Sequence, residues 1–219
     1  MREDSPVLKC RPGWRTRGWS PGVADVIAAV QFAHNHNLEV AVHATRHNVA
    51  GLSVCNDGMM IDLSAMKGIH VSPAARAARV EPGVTWEELN HELQTFGLAA
   101  TGGYVGITGV AGLTLGGDLG WMVRKHGCAL DNLLSADVVT ADGQFLTVSA
   151  STNADLSRAF EAEAATSGSS RLSSFQVDPA GTVLAGLALH AASKGREVLR
   201  FWRGFESTAS DDMTNGALI

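Results

Sequence analysis

The sequence has no run of eighteen apolar residues, so nothing in it reads as a membrane-spanning helix. Met1 to Arg11 lacks the apolar stretch of a secretory signal. Cysteine is scarce: Cys10, Cys55 and Cys128 are too few and too scattered for a disulfide framework or a zinc site. Reduced thiols in a cytoplasmic protein are therefore the expectation. Long runs of one charge are also missing, and a formal net charge of -5 offers no basic face to a nucleic acid. Neither a membrane nor a nucleic-acid partner is expected. There is no internal repeat.

Glycine, by contrast, is plentiful, with 24 in 219 residues, and it clusters. An apolar fraction of 45% and a charged fraction of 18% are those of a folded domain with a core of its own.

The local signals alternate between helix and strand. Ser20-Pro21 reads as a helix start, and Val23, Val26, Ile27 and Val30 follow at helical spacing. Strands are predicted at 39–42, at 59–63 after the Asp57-Gly58 turn, at 69–71 and at 77–81. Thr85-Trp86-Glu87-Glu88 is a capping box that opens a helix, which Gly97 ends. Residues 102–120 read as a glycine-rich loop, and Asp142-Gly143 marks a hairpin joining 136–140 to 145–148. Residues 161–174 show no period. A strand is expected at 182–189 and an amphipathic helix at 197–205. The order predicts an α+β fold.

Two segments carry candidate chemistry. Glycines at the density of Thr108 to Gly120 let backbone N–H groups approach a diphosphate closely. The segment has neither the G-x-G-x-x-G of a Rossmann turn nor the Gly-Lys-Ser/Thr of a P-loop. A turn that merely packs tightly is the competing reading. The second segment holds His43 and His47. Four apart on a helix they could share a metal, but the segment reads as loop and has no third ligand, so no metal is expected.

Seven ordered stretches between Ala24 and Leu156 carry a resemblance. They are Arg46-His-Asn-Val-Ala-Gly-Leu-Ser-Val-Cys55, Ile61-Asp-Leu-Ser64, Val80-Glu-Pro-Gly-Val84, Thr101-Gly-Gly-Tyr104, Gly109-Val-Ala-Gly-Leu-Thr-Leu-Gly-Gly117, Asp131-Asn-Leu-Leu134 and Ala136-Asp-Val-Val-Thr-Ala-Asp-Gly143. They resemble the FAD-binding domain, of the PCMH type, in berberine bridge enzyme-like oxidoreductases of the vanillyl-alcohol oxidase group. The resemblance implies two α+β subdomains with FAD between them. It implies a cofactor-binding set of Val42, His43, Ala44, Thr45, Arg46, His47, Asn48, Gly51, Tyr104, Thr108, Gly109, Val110, Ala111, Gly112, Gly116, Gly117 and Val139. His47 matches the histidine that bonds covalently to the flavin. Val105 stands where some members have a second attachment cysteine, so a single link is implied. The family oxidises small molecules (sugars, alcohols, alkaloid-like amines) by hydride transfer to the flavin, with oxygen the usual acceptor. Its catalytic base and substrate pocket come from a second domain, so no catalytic residue is assigned here.

Three departures from the family pattern stand out. The family reads Arg-Gly-Gly-Gly where this chain has His43-Ala-Thr-Arg46. It has a third glycine where this chain has Asp118. After Leu156 it reads Phe-Trp-Ala-Val-Arg-Gly-Gly-Gly-Gly-Asn-Phe-Gly-Val-Val-Thr-Ser-Phe, whereas residues 157–174 differ throughout. With codons chosen for Ala159 to Leu172 and read two bases on, that segment becomes Val-Arg-Gly-Gly-Gly-Gly-Asn-Phe-Gly-Val-Val-Thr-Ser, the pattern of a shifted reading frame.

The resulting division is an irregular segment over 1–22, an FAD-binding domain over 23–180 with an aberrant stretch at 157–174, and the start of a substrate domain over 181–219. An incomplete or inactive oxidoreductase copy is expected. A non-catalytic flavin-binding module and a defective gene product are the alternatives. Exposed apolar residues in the C-terminal segment would invite self-association or a partner chain.

Overall fold

A computed structural model of the chain describes residues 7–9, 22–162 and 169–216. Helix α1 (Val23–Asn35) turns Val26, Ala29, Val30 and Ala33 inward, the apolar face that the helical spacing predicted. The Ser20-Pro21 start lies outside the described residues; at the helix end that is described, Asp25 Oδ2 accepts from Gly22 N–H at 2.9 Å.

The helix packs on a three-stranded sheet. Strand β1 (Val7–Lys9) runs antiparallel to β3 (Met59–Asp62), which runs parallel to β2 (Val40–His43). The expected irregular segment over 1–22 thus contains a strand at Val7–Lys9, because β3 has a free edge with backbone groups to satisfy.

The larger sheet is antiparallel. It contains β4 (Ile69–Ser72), β5 (Ala77–Val80), β7 (Leu133–Val139), β8 (Phe145–Ser149) and β9 (Ser169–Gln176), in the order β4-β5-β9-β7-β8. Helix α2 (Trp86–Gln94) covers it, and β6 (Leu98–Ala99) follows. Trp86, Leu89 and Leu93 from α2 meet Ala78 and Val80 of β5, Phe175 of β9 and Val177 in the main core. A second core joins α1 to β3 through Val26, Ala29, Met59 and Ile61, and Val139 of β7 bridges it to the large sheet. The predicted capping box is present: Thr85 Oγ1 accepts from Glu88 N–H, and Glu88 Oε2 accepts from Thr85 N–H at 2.8 Å. At the other end Gly97 N–H closes on Gln94 C=O at 3.0 Å.

Two further sequence expectations are corrected within the chain's middle. Residues 102–120 are not all loop, since Val110–Leu115 forms a short helix, α3, and Val123–His126 another, α4, just beyond. Residues 161–174 looked aperiodic, yet α5 (Ala154–Ala162) reaches into them and β9 emerges from them. Strand β9 sits between β5 and β7, where ladder bonds on both edges select strand without any help from alternation. Among its described side chains, Ser173 and Phe175 lie inside.

The strand expected at 182–189 does not form. After the short β10 (Asp178–Pro179), which pairs with β6, the chain runs without regular structure to residue 191. Val183, Leu184, Leu187 and Leu189 stand in solvent, because no neighbouring strand offers a ladder or a face to pack on. Helix α6 (Gly195–Glu206) does form. It is held mainly by charge: Arg124 donates to Glu206 Oε1 at 2.5 Å and to Ala209 C=O at 3.0 Å, and Lys125 pairs with Asp212.

Candidate functional site

Strand β2 ends at His43, and the chain turns outward through Ala44, Thr45 and Arg46 before reaching His47. Arg46 has φ +68°, the left-handed conformation that glycine adopts freely and other residues adopt at a cost of about 1–2 kcal/mol. This is a position where the family pattern has glycine, and the turn has kept glycine geometry around an arginine.

The arginine side chain folds back onto a buried group. His43 is 4% exposed and its Nε2 lies 3.0 Å from Asp62 Oδ1, while Arg46 Nη2 lies 3.6 Å from Asp62 Oδ2. Arg46 Nε also stands 3.1 Å from His43 Nε2. One ring nitrogen cannot both donate to Asp62 and accept from Arg46. The shorter contact to a carboxylate assigns the proton to Nε2, which leaves Arg46 to serve Asp62 rather than the ring. Burial alone would raise the Asp62 pKa. Hydrogen bonds from the His43 ring and from Ser64, together with the charge of His43, outweigh it and hold the carboxyl well below the usual carboxylate range.

The glycine-rich segment is built on close backbone approach. A bridge joins Gly103 to Gly120, and a Cβ at Gly120 would fall 1.9 Å from the Gly102 carbonyl oxygen, so no other residue fits. Within it Asp118 has φ +58°, again a position where the family pattern has glycine. Its side chain, unlike that of Arg46, is buried, and neither carboxylate oxygen has a hydrogen-bond partner. Trp86 Nε1 is likewise unpartnered. Burial pushes the Asp118 pKa up to about 6. The nearby Gly103 N–H and Trp86 indole favour the anion without forming well-shaped bonds to it.

The two segments meet. A Cβ at Gly109 would strike Thr45 Oγ1 at 2.2 Å, so the turn after β2 and the start of α3 touch across the junction of the two sheets. Beside this contact lies a cleft of about 370 Å³, lined by Ala44, Thr45, Arg46, Ser64, Lys67, Gly83, Thr85 and Ile107. Its volume lies in the lower part of the usual range for small-molecule sites, about 300–1,000 Å³. Arg46 and Lys67 reach it, the first paired with Asp62 and the second with Glu88 at 2.7 Å. Ser64 and Thr45 bring hydroxyls, while the Thr85 hydroxyl donates to Glu88. These are the donors a diphosphate needs, so the residues present fit that part of FAD.

The expected residues do not all stand together. Ala44, Thr45 and Arg46 line the cleft, and Gly109 abuts it. His47, Asn48 and Gly51 follow on an exposed stretch. Tyr104 is half-exposed and meets Trp121 edge to face at 4.7 Å. Thr108 C=O accepts from Trp86 N–H, and Thr108 Oγ1 donates to Val105 C=O at 2.6 Å. Val110 N–H is already spent on Val84 C=O at 3.0 Å, while Ala111 and Gly112 lie further along α3 and Gly116 and Gly117 just past its end. Val42 packs against the α1 core, of which Val139 is a buried member. The sequence reading left out Asp62, Ser64, Lys67, Gly83 and Thr85. The first two lie in a matched stretch, and Gly83 was open to detection as a glycine inside Val80-Glu-Pro-Gly-Val84.

Residues 22–149 match the family described as "FAD binding domain". An FAD-linked oxidoreductase of Dictyostelium discoideum is 32% identical over 193 residues, 88% of this chain and 42% of its own length. (R)-6-hydroxynicotine oxidase of Paenarthrobacter nicotinovorans is 38% identical over 136 residues, 62% of this chain and 29% of its own length. Among solved structures, 6-hydroxy-D-nicotine oxidase from Arthrobacter nicotinovorans superposes with a TM-score of 0.69 at 33% identity, covering 71% of this chain and 34% of that one. A carbohydrate oxidase from Microdochium nivale gives 0.68 at 29% identity, with 71% and 34% covered. The chain thus spans well under half the length of these relatives.

Proposed function

Because the chain belongs to the FAD-binding-domain family of FAD-linked oxidoreductases, we propose that it holds FAD with the diphosphate in the cleft beneath Arg46 and Lys67 and with His47 as the single covalent attachment point. The observation that carries this reading is the contact of Thr45 with Gly109, which brings the turn leading to His47 against the glycine-rich segment. Bound flavin supplies a two-electron acceptor for a substrate C–H hydride. The chain's own residues bind and orient. Arg46 offers charge to phosphate oxygens while Asp62 holds its guanidinium, Lys67 would exchange its Glu88 partner for phosphate, and Ser64 offers a hydroxyl. His47 is exposed one residue beyond Arg46, which supports its reading as the attachment point, while Val105 offers no nucleophile for a second bond.

Small-molecule oxidation with oxygen as acceptor is the activity proposed for the family-length protein. The 219-residue chain by itself is proposed to bind flavin without turnover. Hydride transfer requires a donor carbon held near the flavin and a base near the departing proton. Beyond β10 the described residues supply an extended segment and one surface helix, with no sheet to form a substrate pocket. Oxygen uptake with panels of sugars, alcohols and cyclic amines tests this, and saturable uptake by the purified chain would refute it. The apolar residues Val183, Leu184, Leu187 and Leu189 support a second proposal, association through this segment, which sedimentation would reveal as dimers or larger species.

A further inference from the structure

Behind the glycine-rich segment, the polar groups of two buried side chains go unmatched. Neither oxygen of Asp118 has a well-shaped hydrogen bond, and nor has the indole N–H of Trp86, although that indole and the Gly103 N–H both face the carboxyl. A carboxylate in that position loses its water and gains little in return, whereas a neutral carboxyl loses far less. Asp118 also sits in the left-handed region between Gly117, at φ +96°, and the tightly packed Gly120. Its own C=O accepts from Ala129 N–H at 3.1 Å, and the Gly117 C=O accepts from Leu130 N–H at 3.3 Å. These two backbone bonds hold the stretch that carries the Asp118 side chain inward, so they are where its release would be read.

We propose that Asp118 is a proton-operated latch on this segment, closed when its carboxyl is neutral and released when it ionises, and that capture of flavin follows its proton. The flavin half of this statement rests on the cofactor reading above; the latch itself does not. The groups facing Asp118 are Trp86 from α2, Gly103 N–H from the turn after β6, and the Cys128 thiol from the segment after α4. That thiol is pushed up by burial, by Asp131 and by Asp118 itself. Among the described residues no lysine, arginine or histidine forms an ion pair with Asp118 to hold its charge inside. Burial has already moved its titration to about 6, so the latch operates in mildly acidic solution.

The test uses the full chain and two readouts. Hydrogen-exchange protection at Gly117, Ala129 and Leu130, corrected for intrinsic rates, is measured from about pH 5 to about pH 7.5. FAD affinity is titrated over the same range. Wild type should lose protection about tenfold across the range and bind FAD more weakly at the upper end. Asp118→Asn, which tolerates the same backbone but does not titrate, should be flat in both. Should that variant fail to fold, Asp118→Gly must show the flat profile instead. Falling protection without FAD binding at any pH would uphold the latch and refute the cofactor reading. Falling protection with FAD affinity constant would refute the coupling. Flat protection in wild type, or an equal fall in Asp118→Asn and Asp118→Gly, would overturn the latch.

Discussion

The turn at Arg46 and the segment at Asp118 pose the same problem and resolve it differently. Both hold a charged residue in a glycine conformation, at φ +68° and φ +58°, and both lie on the glycine-bearing segments of the site. Arg46 folds back to Asp62 while its side chain stays 69% exposed. Asp118 is driven inward, where the Gly103 N–H and the Trp86 indole face it and, among the described residues, no ion pair holds its charge. Backbone geometry therefore does not decide the cost of losing a glycine; the fate of the new side chain does.

The largest way to break this contrast is to remove the partner that makes Arg46 tolerable. Asp62→Ala removes the carboxylate that accepts from His43 and pairs with Arg46, leaving only the Arg46–His43 contact in that cluster. It should lower unfolding free energy by about 2–4 kcal/mol in denaturant titration. A loss under about 0.5 kcal/mol, the size of an ordinary surface change, would show that the cluster is not what holds the turn.

The pH response should differ in sign between the two carboxyls. Asp118 has a raised folded pKa, so its neutral form is favoured in the fold, and stability falls as pH rises from about 4 to about 6. Asp62 has a lowered one, so its contribution is full above its ordinary value of 3.8 and is lost as pH falls below it. The difference between wild type and Asp118→Asn should therefore change by about 2–3 kcal/mol across the first window and stay constant above it. Thermal denaturation at a series of pH values reads this directly, and a constant difference would contradict it.

Smaller effects separate strain from charge. At about pH 5, where Asp118 is mostly neutral, Asp118→Gly should stabilise by about 1 kcal/mol, while Arg46→Gly should stay within about 0.5 kcal/mol. In the arginine case relief of the backbone is offset by the lost tie to Asp62. Equal gains at both sites would mean that side-chain environment is irrelevant. Smallest of all, Leu187→Ser should leave unfolding free energy unchanged within about 0.5 kcal/mol, since Leu187 is 89% exposed. A larger loss would reveal packing for residues 182–189.

These contrasts also mark how far the sequence is legible. Helices α1 and α2, the strands 59–62 and 77–80, and the Asp142-Gly143 hairpin follow from spacing, a capping box and turn chemistry, all local causes. Strand β9 and the failure of 182–189 to pair have non-local causes, the presence of β5 and β7 in one case and the lack of any neighbour in the other. In the site, His43-Ala-Thr-Arg46 and Asp118 were visible as departures from a glycine pattern. That Arg46 would find Asp62, and Asp118 only an unmatched indole, depends on folding that brings residues 43 and 62, or 86 and 118, together. No spacing encodes that.

The central claim is that this fold carries flavin on His47. The direct measurement is the colour of acid-precipitated protein after expression with ample FAD, for wild type and for His47→Ala. The account predicts yellow colour that stays with the wild-type pellet and washes out of the variant. A colourless wild-type pellet, or colour retained equally by both, would contradict it.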